Sequence, residues 1–443
     1  MKVNLSDHFT YRKLLSFVLP SIVMMVFTSI YGVVDGLFVS NYAGKTAFAA
    51  INLVMPFIMV LGGMGFMTGT GGTALVAKVL GEGEKEEANR YFSMMVLVTL
   101  LLGVVLSVVG VAFMRPVSRL LGATEAMMDD CVLYGRIVIA FTFTFMLQNV
   151  FQSFLIVAEK PKLGLMVTVA AGVTNMVLDA LFVGGFGWGI AGAAVATGLS
   201  QCVGGILPLI YFLRPNSSLL RLCPTRLKLR PILKACGNGS SELMSNISSS
   251  FVSMLYNFQL MRFAGEDGVS AYGVLMYVQF IFVAIYVGYA VGSAPIVGFH
   301  YGAKNHSELK NLLRKSTLLM ASSGVVLTIL AMLLAAPLAK IFVGYDQGLY
   351  ELTCHAFQVF AYSFLLAGFN IFASSFFTAL NNGAVSAAIS FLRTLLFQTA
   401  SVLLLPLVLG VDGIWWAIFA AEVFASVISV LFLFAKRKRY QYF

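Results

Sequence analysis

The segment from Leu14 to Ser40, LLSFVLPSIVMMVFTSIYGVVDGLFVS, contains a single charged side chain, Asp35. It contains 27 residues, whereas a membrane-crossing helix needs about 20 apolar residues. A charged side chain at the centre of such a helix costs roughly 2.5–3.5 kcal/mol on insertion scales. An acid retained there therefore predicts a site that binds or moves a proton or another cation.

The composition extends this interpretation to the whole chain. Of the 443 residues, 59% are hydrophobic and 11% are charged, whereas soluble proteins carry about 25% charged residues. The apolar runs are too long for membrane β-strands, so the chain is predicted to be an all-α polytopic membrane protein with twelve transmembrane helices. The runs lie at roughly 14–40, 47–77, 91–113, 132–156, 163–185, 189–213, 231–261, 270–300, 316–336, 352–380, 384–409 and 413–435.

The basic charge is distributed as expected for a membrane protein. With the N-terminus placed in the cytoplasm, 22 of the 29 Lys and Arg residues fall in cytoplasmic segments and 5 on the opposite side. The positive-inside bias then predicts a multi-pass protein of the cell membrane with both termini cytoplasmic. The net charge of +10 is therefore attributed to topology and to attraction for membrane lipids, and no nucleic-acid partner is expected.

The two halves of the chain resemble each other. Residues 43–89 align without a gap onto 264–310, with eight identities that include Gly71/Gly292 and Gly81/Gly302. We predict an N-lobe at 1–213 (helices 1–6), a cytoplasmic linker at 214–230 and a C-lobe at 231–443 (helices 7–12). Since six is an even number, the two six-helix repeats are parallel, with a central cavity between them. Convergent membrane composition is the alternative explanation.

Polar side chains converge in the first lobe. Asn175 and Asp179 are four residues apart, so they share a helix face. Asp35, Asp179 and Thr197 are predicted to lie at similar depths in the membrane, roughly 8–12 Å from the outer ends of their spans. We predict that Asp35, Asn175, Asp179 and Thr197 form one site for a proton or for Na⁺, because two poorly solvated carboxylates do not both ionise without a counter-cation. Unrelated polar residues near a wet interface are the alternative.

Other residues are candidates for movement or for substrate binding. Pro20 lies inside the first span and is predicted to be a hinge, with a static kink as the alternative. Arg393 is predicted to pair with Glu242, or with Glu422 in its place, as a structural or a substrate-binding pair. Span four carries a stripe of aromatic and amide side chains at helical spacing, and such side chains suit flat organic cations. The predicted substrate-cavity residues are Phe141, Phe145, Gln148, Gln152, Glu242, Tyr277, Gln279 and Arg393.

Enzyme motifs are not found. The four histidines form no H-E-x-x-H pattern, and Gly81-Glu82-Gly83 lacks the lysine of a phosphate-binding loop. The five cysteines show no C-x-x-C spacing and are predicted to be free thiols. We expect no enzyme activity, no cofactor and no metal beyond Na⁺ at the four-residue site, and a chain that acts as a monomer.

With these features the whole chain resembles the multidrug and toxic compound extrusion (MATE) family. The segment from Gly81 to Ala88 looks like the family's glycine-acidic turn, and Pro20 and Asp35 match its span-one proline and acid. Asn175, Asp179 and Thr197 match the first-lobe cation site of one family branch. Another branch carries an acid in span ten, where this chain has none, although Glu242 could match that branch's span-seven acid.

The resemblance implies export of amphipathic, often cationic, small molecules in exchange for H⁺ or Na⁺ by alternating access. The nearest alternative is a flippase for lipids or lipid-linked precursors from the same superfamily. Such proteins usually have more spans and a cationic cavity, whereas this chain has few buried arginines.

Overall fold

The computed structural model of the chain describes residues 3–42 and 45–443, and within them every side chain except those of 36–42, 45, 46 and 48. Ala43 and Gly44, which are two of the identities in the repeat alignment, lie outside the described residues. The helices are α1 Tyr11–Tyr42, α2 Lys45–Gly81, α3 Lys85–Leu120, α4 Glu125–Ala140 with Thr142–Val157, α5 Pro161–Asp179 with the π-helical turn Ala180–Gly185, α6 Gly189–Leu213, α7 229–264, α8 266–302, α9 His306–Val343, α10 Gln347–Ala361 with Phe364–Ala379, α11 Gly383–Leu409 and α12 Val411–Tyr440.

The helices α7 and α8 form one stretch, Leu229–Gly302, that breaks at a glycine. Its 74 residues would measure about 110 Å as a single helix, whereas the hydrocarbon core of a bilayer is about 30 Å thick. Gly265 interrupts it with a φ of +64°, a left-handed conformation that glycine adopts at little cost. The stretch therefore crosses the membrane twice.

The number of spans follows from length, composition and bending. Among the described residues, nine helices are long and apolar enough to cross a membrane, and two bent pairs add two more. The bends are 52° in α4 and 47° in α10. Since Leu229–Gly302 supplies two passes, the prediction of an all-α fold with twelve transmembrane helices is confirmed.

Backbone contacts between α2 and α8 join the two halves of the chain. A side chain on Gly81 would overlap the carbonyl of Phe299 in α8, and one on Gly302 would overlap the carbonyl of Lys78 in α2. The two glycines are aligned in the sequence repeat, and each allows its helix to reach the backbone of the other half. Glycine is needed at both positions because a Cβ would separate the helices.

The first residues of the described chain extend along the same end of the bundle. Residues 3–10, here called the N-terminal strap, run from the first half to the second. The amide of Leu5 donates to Glu159 Oε1 at 2.7 Å, and the amide of Phe9 donates to Glu308 Oε1 at 2.9 Å. His8 Nδ1 lies 2.6 Å from Glu308 Oε2.

The other terminus reaches the same region, because His306 Nδ1 lies 3.3 Å from the carbonyl oxygen of Tyr440 at the end of α12. Residues 3–10 and the end of α12 therefore lie at one end of the bundle, here called the terminal end.

The predicted division into lobes coincides with a gap in the helical structure. The helix α6 ends at Leu213 and α7 begins at Leu229, so the predicted linker 214–230 includes the first two residues of α7. Inside the second half, Tyr286 of α8 donates to the carbonyl of Phe364 at 2.8 Å, and Tyr289 donates to Ser316 at 2.7 Å. That the halves move as two lobes stays a prediction.

Candidate functional site

Two carboxylates from different helices meet inside the first half. The side chain of Asp35, near the end of α1, adjoins those of Asp179 and Asn175 of α5. Asp179 is 0% exposed and Asn175 is 2% exposed. Neither oxygen of Asp179, nor Oδ1 of Asp35, accepts a hydrogen bond from any donor in the described residues. Buried acceptors without donors are costly, so this arrangement fits a bound cation.

The helix geometry changes directly after Asp179. It is the last α-helical residue of α5, and the π-helical turn Ala180–Gly185 follows it directly. A π-helical segment inserts an extra residue into the turn, and such segments are frequent at functional sites. Sequence reasoning did not predict this turn.

Two tyrosines, which sequence reasoning missed, complete the surroundings of the acids. Tyr134 of α4 is 1% exposed and is a near neighbour of Asp35, Asp179 and Thr197. Tyr31 lies one turn before Asp35 on α1 and faces its carboxylate. The four-residue spacing of Tyr31 and Asp35 was a signal in the sequence for this neighbour, but Tyr134 lies on another helix and no spacing pointed to it.

The atoms at this site suit a proton or a sodium ion. The oxygens without hydrogen-bond partners include Oδ1 of Asn175 and Oγ1 of Thr197 together with those of the two acids. Carboxylate, amide and hydroxyl oxygens are hard ligands that suit hard cations. The same carboxylates can instead share one proton, as paired acids do. The structure thus places all four predicted coupling residues in one region.

Pro20 lies on α1 at some distance from the acids. The helix continues through this buried proline, which is 15 residues before Asp35, or about 22 Å along the axis. Beside it, Ser21 packs against Gly292 of α8, and a Cβ on that glycine would lie 3.1 Å from Ser21 Cβ. Pro20 therefore lies where α1 touches the second half, and its role as a hinge stays a prediction.

A cavity of about 370 Å³ is lined mainly by helices of the second half, with residues of α1, α2 and α4. Of the predicted substrate residues, Glu242, Gln279 and Arg393 line it. Polar side chains from α7, α8, α10 and α11 also reach it, including Asn246, Tyr272, Asn370 and Gln398. Its wall thus combines apolar surface with several hydrogen-bonding groups, as binding sites for organic molecules do.

The partner of Arg393 is Glu422, so the predicted pair of Arg393 with Glu242 is wrong and its stated alternative is confirmed. Arg393 Nε lies 2.9 and 3.0 Å from the two carboxylate oxygens, and Nη2 lies 2.7 Å from Oε1. Asn370 also donates to Glu422, at 2.7 Å. Arg393 lies on the π-helical turn Leu392–Phe397 of α11. Sequence spacing could not decide between two acids on different helices.

The other predicted substrate residues do not line this cavity. Phe145 fills the space beside Gly62 of α2, and Phe141 lies beside Gly198 of α6. Tyr277 stacks on Phe342 of α9 with the ring centroids 5.8 Å apart.

The two amides predicted for the cavity from this helix, Gln148 and Gln152, are also buried in helix contacts. Gln148 packs against Gly204, and Gln152 donates to Thr168 at 3.3 Å. The stripe on α4 is therefore packed between helices of the first half.

Comparison with known proteins identifies the family. The MatE family model matches residues 20–181 and again residues 243–402, which together exceed half of the chain. The repetition agrees with the internal repeat seen in the sequence. The multidrug export protein MepA of Staphylococcus saprophyticus is similar, with 22% identity over 440 residues that cover 97% of this chain and 94% of that protein.

Solved structures show the same architecture. A MATE crystal structure in complex with MaL6 has a TM-score of 0.93 at 20% identity and covers 98% of both chains. An outward-facing multidrug resistance MATE family transporter of the MOP superfamily has a TM-score of 0.92 at 21% identity, with 98% of this chain and 97% of that chain covered. The chain therefore belongs to the MATE family of multidrug efflux transporters.

Proposed function

We propose that this protein exports amphipathic organic cations in exchange for H⁺ or Na⁺ by alternating access. The observation that carries the proposal is the pair of adjoining acids, Asp35 and Asp179, with buried oxygens that no donor among the described residues satisfies. Such a pair binds a cation when the site faces a high cation concentration and releases it when the site faces a low one.

The position of α1 supports coupling between this site and the rest of the molecule. The helix carries Asp35 next to α5, where Tyr31 lies beside Gly172, and a Cβ there would be 2.9 Å from Tyr31 Cδ1. Near Pro20, the same helix packs against Gly288 and Gly292 of α8. A change of charge at Asp35 therefore acts on a helix that also touches the second half, and Pro20 permits it to bend.

The charge of the cavity supports a cationic substrate. Arg393 is neutralised by its bidentate contact with Glu422. Glu242 lines the cavity, and no positively charged partner of its carboxylate is found within the described part of the chain. Glu242 is therefore a cavity carboxyl without a neighbouring counter-charge, and a cationic substrate beside it would favour its ionised form. The similar protein MepA is named as a multidrug exporter, which agrees with a cavity of mixed polar and apolar surface.

The remaining expectations belong to the same proposal. The protein lies in the cell membrane with its terminal end, and both termini, in the cytoplasm, which the excess of basic residues on that side supports. It acts as a monomer on small organic substrates and needs no cofactor besides the coupling ion. The lobes 1–213 and 231–443 move relative to each other around the linker 214–230.

Transport by the purified protein in liposomes tests the proposal. A fluorescent organic cation is loaded, and a pH gradient and a sodium gradient are imposed separately. We expect at least one gradient to drive transport, and Asp35→Asn to abolish that response. The matched control is Asp129→Asn, which makes the same change at a side chain that is 95% exposed.

Two results would contradict the proposal. The first is normal gradient-driven efflux by a folded and inserted Asp35→Asn protein. The second is lipid scrambling that needs no ion gradient, with no transport of the dye, which would favour the flippase. We further expect Glu242→Gln to weaken binding of the cationic dye while leaving the response to the gradient in place, because it changes the cavity and not the paired acids.

A further inference from the structure

A second and separate groove lies on the outside of the second half, between α9, α10 and α12. Its volume is about 630 Å³. The apolar side chains that line it include Leu318 of α9, Val430 and Phe434 of α12, and Phe443. The groove shares no lining residue with the cavity that holds Glu242 and Arg393. The transport proposal therefore gives it no role.

The wall of the groove is held in place by the residues after α12. The chain turns back at Gln441, where φ is +53°, and Tyr442 is buried with its hydroxyl donating to the carbonyl of Leu433 at 2.9 Å. This anchor holds Phe443 against Phe434, and their rings stack with centroids 5.3 Å apart. The resulting surface is apolar along Phe434 and Phe443.

Two basic side chains of α9 lie along one edge of this apolar wall. Lys310 and Arg314 line the groove one helical turn apart, and both side chains are exposed. No ion pair of either residue is found in the part of the chain that the structure describes. Like charges four residues apart on a helix repel each other, so the arrangement favours an anion placed between them.

We infer that this groove binds an anionic phospholipid of the surrounding membrane. The phosphate lies between Lys310 and Arg314, and an acyl chain lies along Leu318, Phe434 and Phe443. Charge complementarity favours an anionic headgroup over a zwitterionic one, and the apolar wall favours a lipid over a free soluble anion. Basic grooves at a membrane surface are known to select anionic headgroups. The lipid would fasten α9 to α12 next to the terminal end.

Lipid titration of the whole purified protein tests this inference. The protein is delipidated in neutral detergent, and its thermal stability is followed as phosphatidylglycerol or phosphatidylcholine with identical acyl chains is added. Each basic residue near an anionic headgroup contributes a factor of about five in affinity, so two give a preference of about 25-fold for phosphatidylglycerol. We expect Lys310→Gln/Arg314→Gln to remove this preference.

The matched control removes the same charge from the neighbouring helix. Lys436→Gln/Lys438→Gln changes two basic residues of α12 that do not line the groove, and it should keep the preference. Glycerol phosphate, which has the anion but no acyl chain, should not stabilise the protein. The inference is overturned if both phospholipids act equally, if the Lys310/Arg314 variant keeps the preference, or if glycerol phosphate replaces the lipid.

Discussion

The pair of Arg393, which lines the cavity, and the buried Glu422 allows a quantitative prediction. Glu422 is 1% exposed and accepts three contacts from Arg393 at 2.7–3.0 Å. The perturbation is a double-mutant cycle with Arg393→Met, Glu422→Gln and the combination of both. Each single change leaves one member of the pair without its counter-charge. The double change removes both charges, so no charge is left unpaired.

The expected magnitudes follow from the burial of Glu422, since the Arg393 side chain is 18% exposed at the cavity. Removing one partner of a buried ion pair costs about 3–5 kcal/mol, whereas replacing both partners is often close to neutral. The amide of Gln at position 422 can still accept from Asn370, which donates to the native carboxylate at 2.7 Å. We therefore expect Arg393→Met, which leaves the buried carboxylate alone, to lose about 3 kcal/mol. Glu422→Gln should lose less because Arg393 reaches the cavity, and the double variant should recover most of the larger loss.

Reversible unfolding in mixed detergent micelles measures these differences. The control is Asp129→Asn, since the contact between Asp129 and Arg115 is long, at 3.8 Å, and exposed. Exposed pairs contribute little, so no measurable change is expected there. Two single variants that each lose less than about 1 kcal/mol, with effects that simply add, would refute the reasoning.

Three further predictions concern other contacts. Gly302→Ala places a methyl group on the Lys78 carbonyl, so spin-label distances should show the terminal ends of α2 and α8 moving apart; the control Gly273→Ala, with open space at its Cβ, should not. Glu308→Ala removes the acceptor of the Phe9 amide, and hydrogen exchange at that amide should become faster; unchanged exchange would contradict the role of the strap. Tyr134→Phe removes the hydroxyl of a near neighbour of the two acids, and gradient-driven dye transport should fall roughly fivefold, equivalent to about 1 kcal/mol, while the protein stays folded. Full activity of that variant would show that the hydroxyl is not part of the site.

Much of the candidate site could be predicted because it is encoded locally. The intramembrane position of Asp35 follows from hydropathy, and the common face of Asn175 and Asp179 follows from helical periodicity. The depth of Thr197 follows from the rise per residue. Tyr134 could not be predicted in the same way, because its approach to the acids depends on how α4 packs against α1 and α5.

The choice of Glu422 as the partner of Arg393 shows the same limit. Glu242 and Glu422 lie on different helices, and spacing along the chain does not say which of them faces α11. The packing of α10, α11 and α12 brings Glu422 to Arg393 and to Asn370. The predicted stripe on α4 is packed against glycines of α2 and α6, since aromatic residues at helical spacing fit helix contacts and cavities equally well.

The twelve apolar spans, the internal repeat and the acids inside the membrane follow from the amino-acid sequence alone. These features follow from composition and from the spacing of apolar residues. Inside a bilayer such segments form helices, because the backbone must satisfy its own hydrogen bonds there. Only the tertiary structure decided which helices touch. It placed Gly81 and Gly302 against opposite backbones, paired Arg393 with Glu422, and set Tyr134 beside Asp35 and Asp179. Such contacts depend on the shapes of whole helices, which no local pattern in the chain specifies.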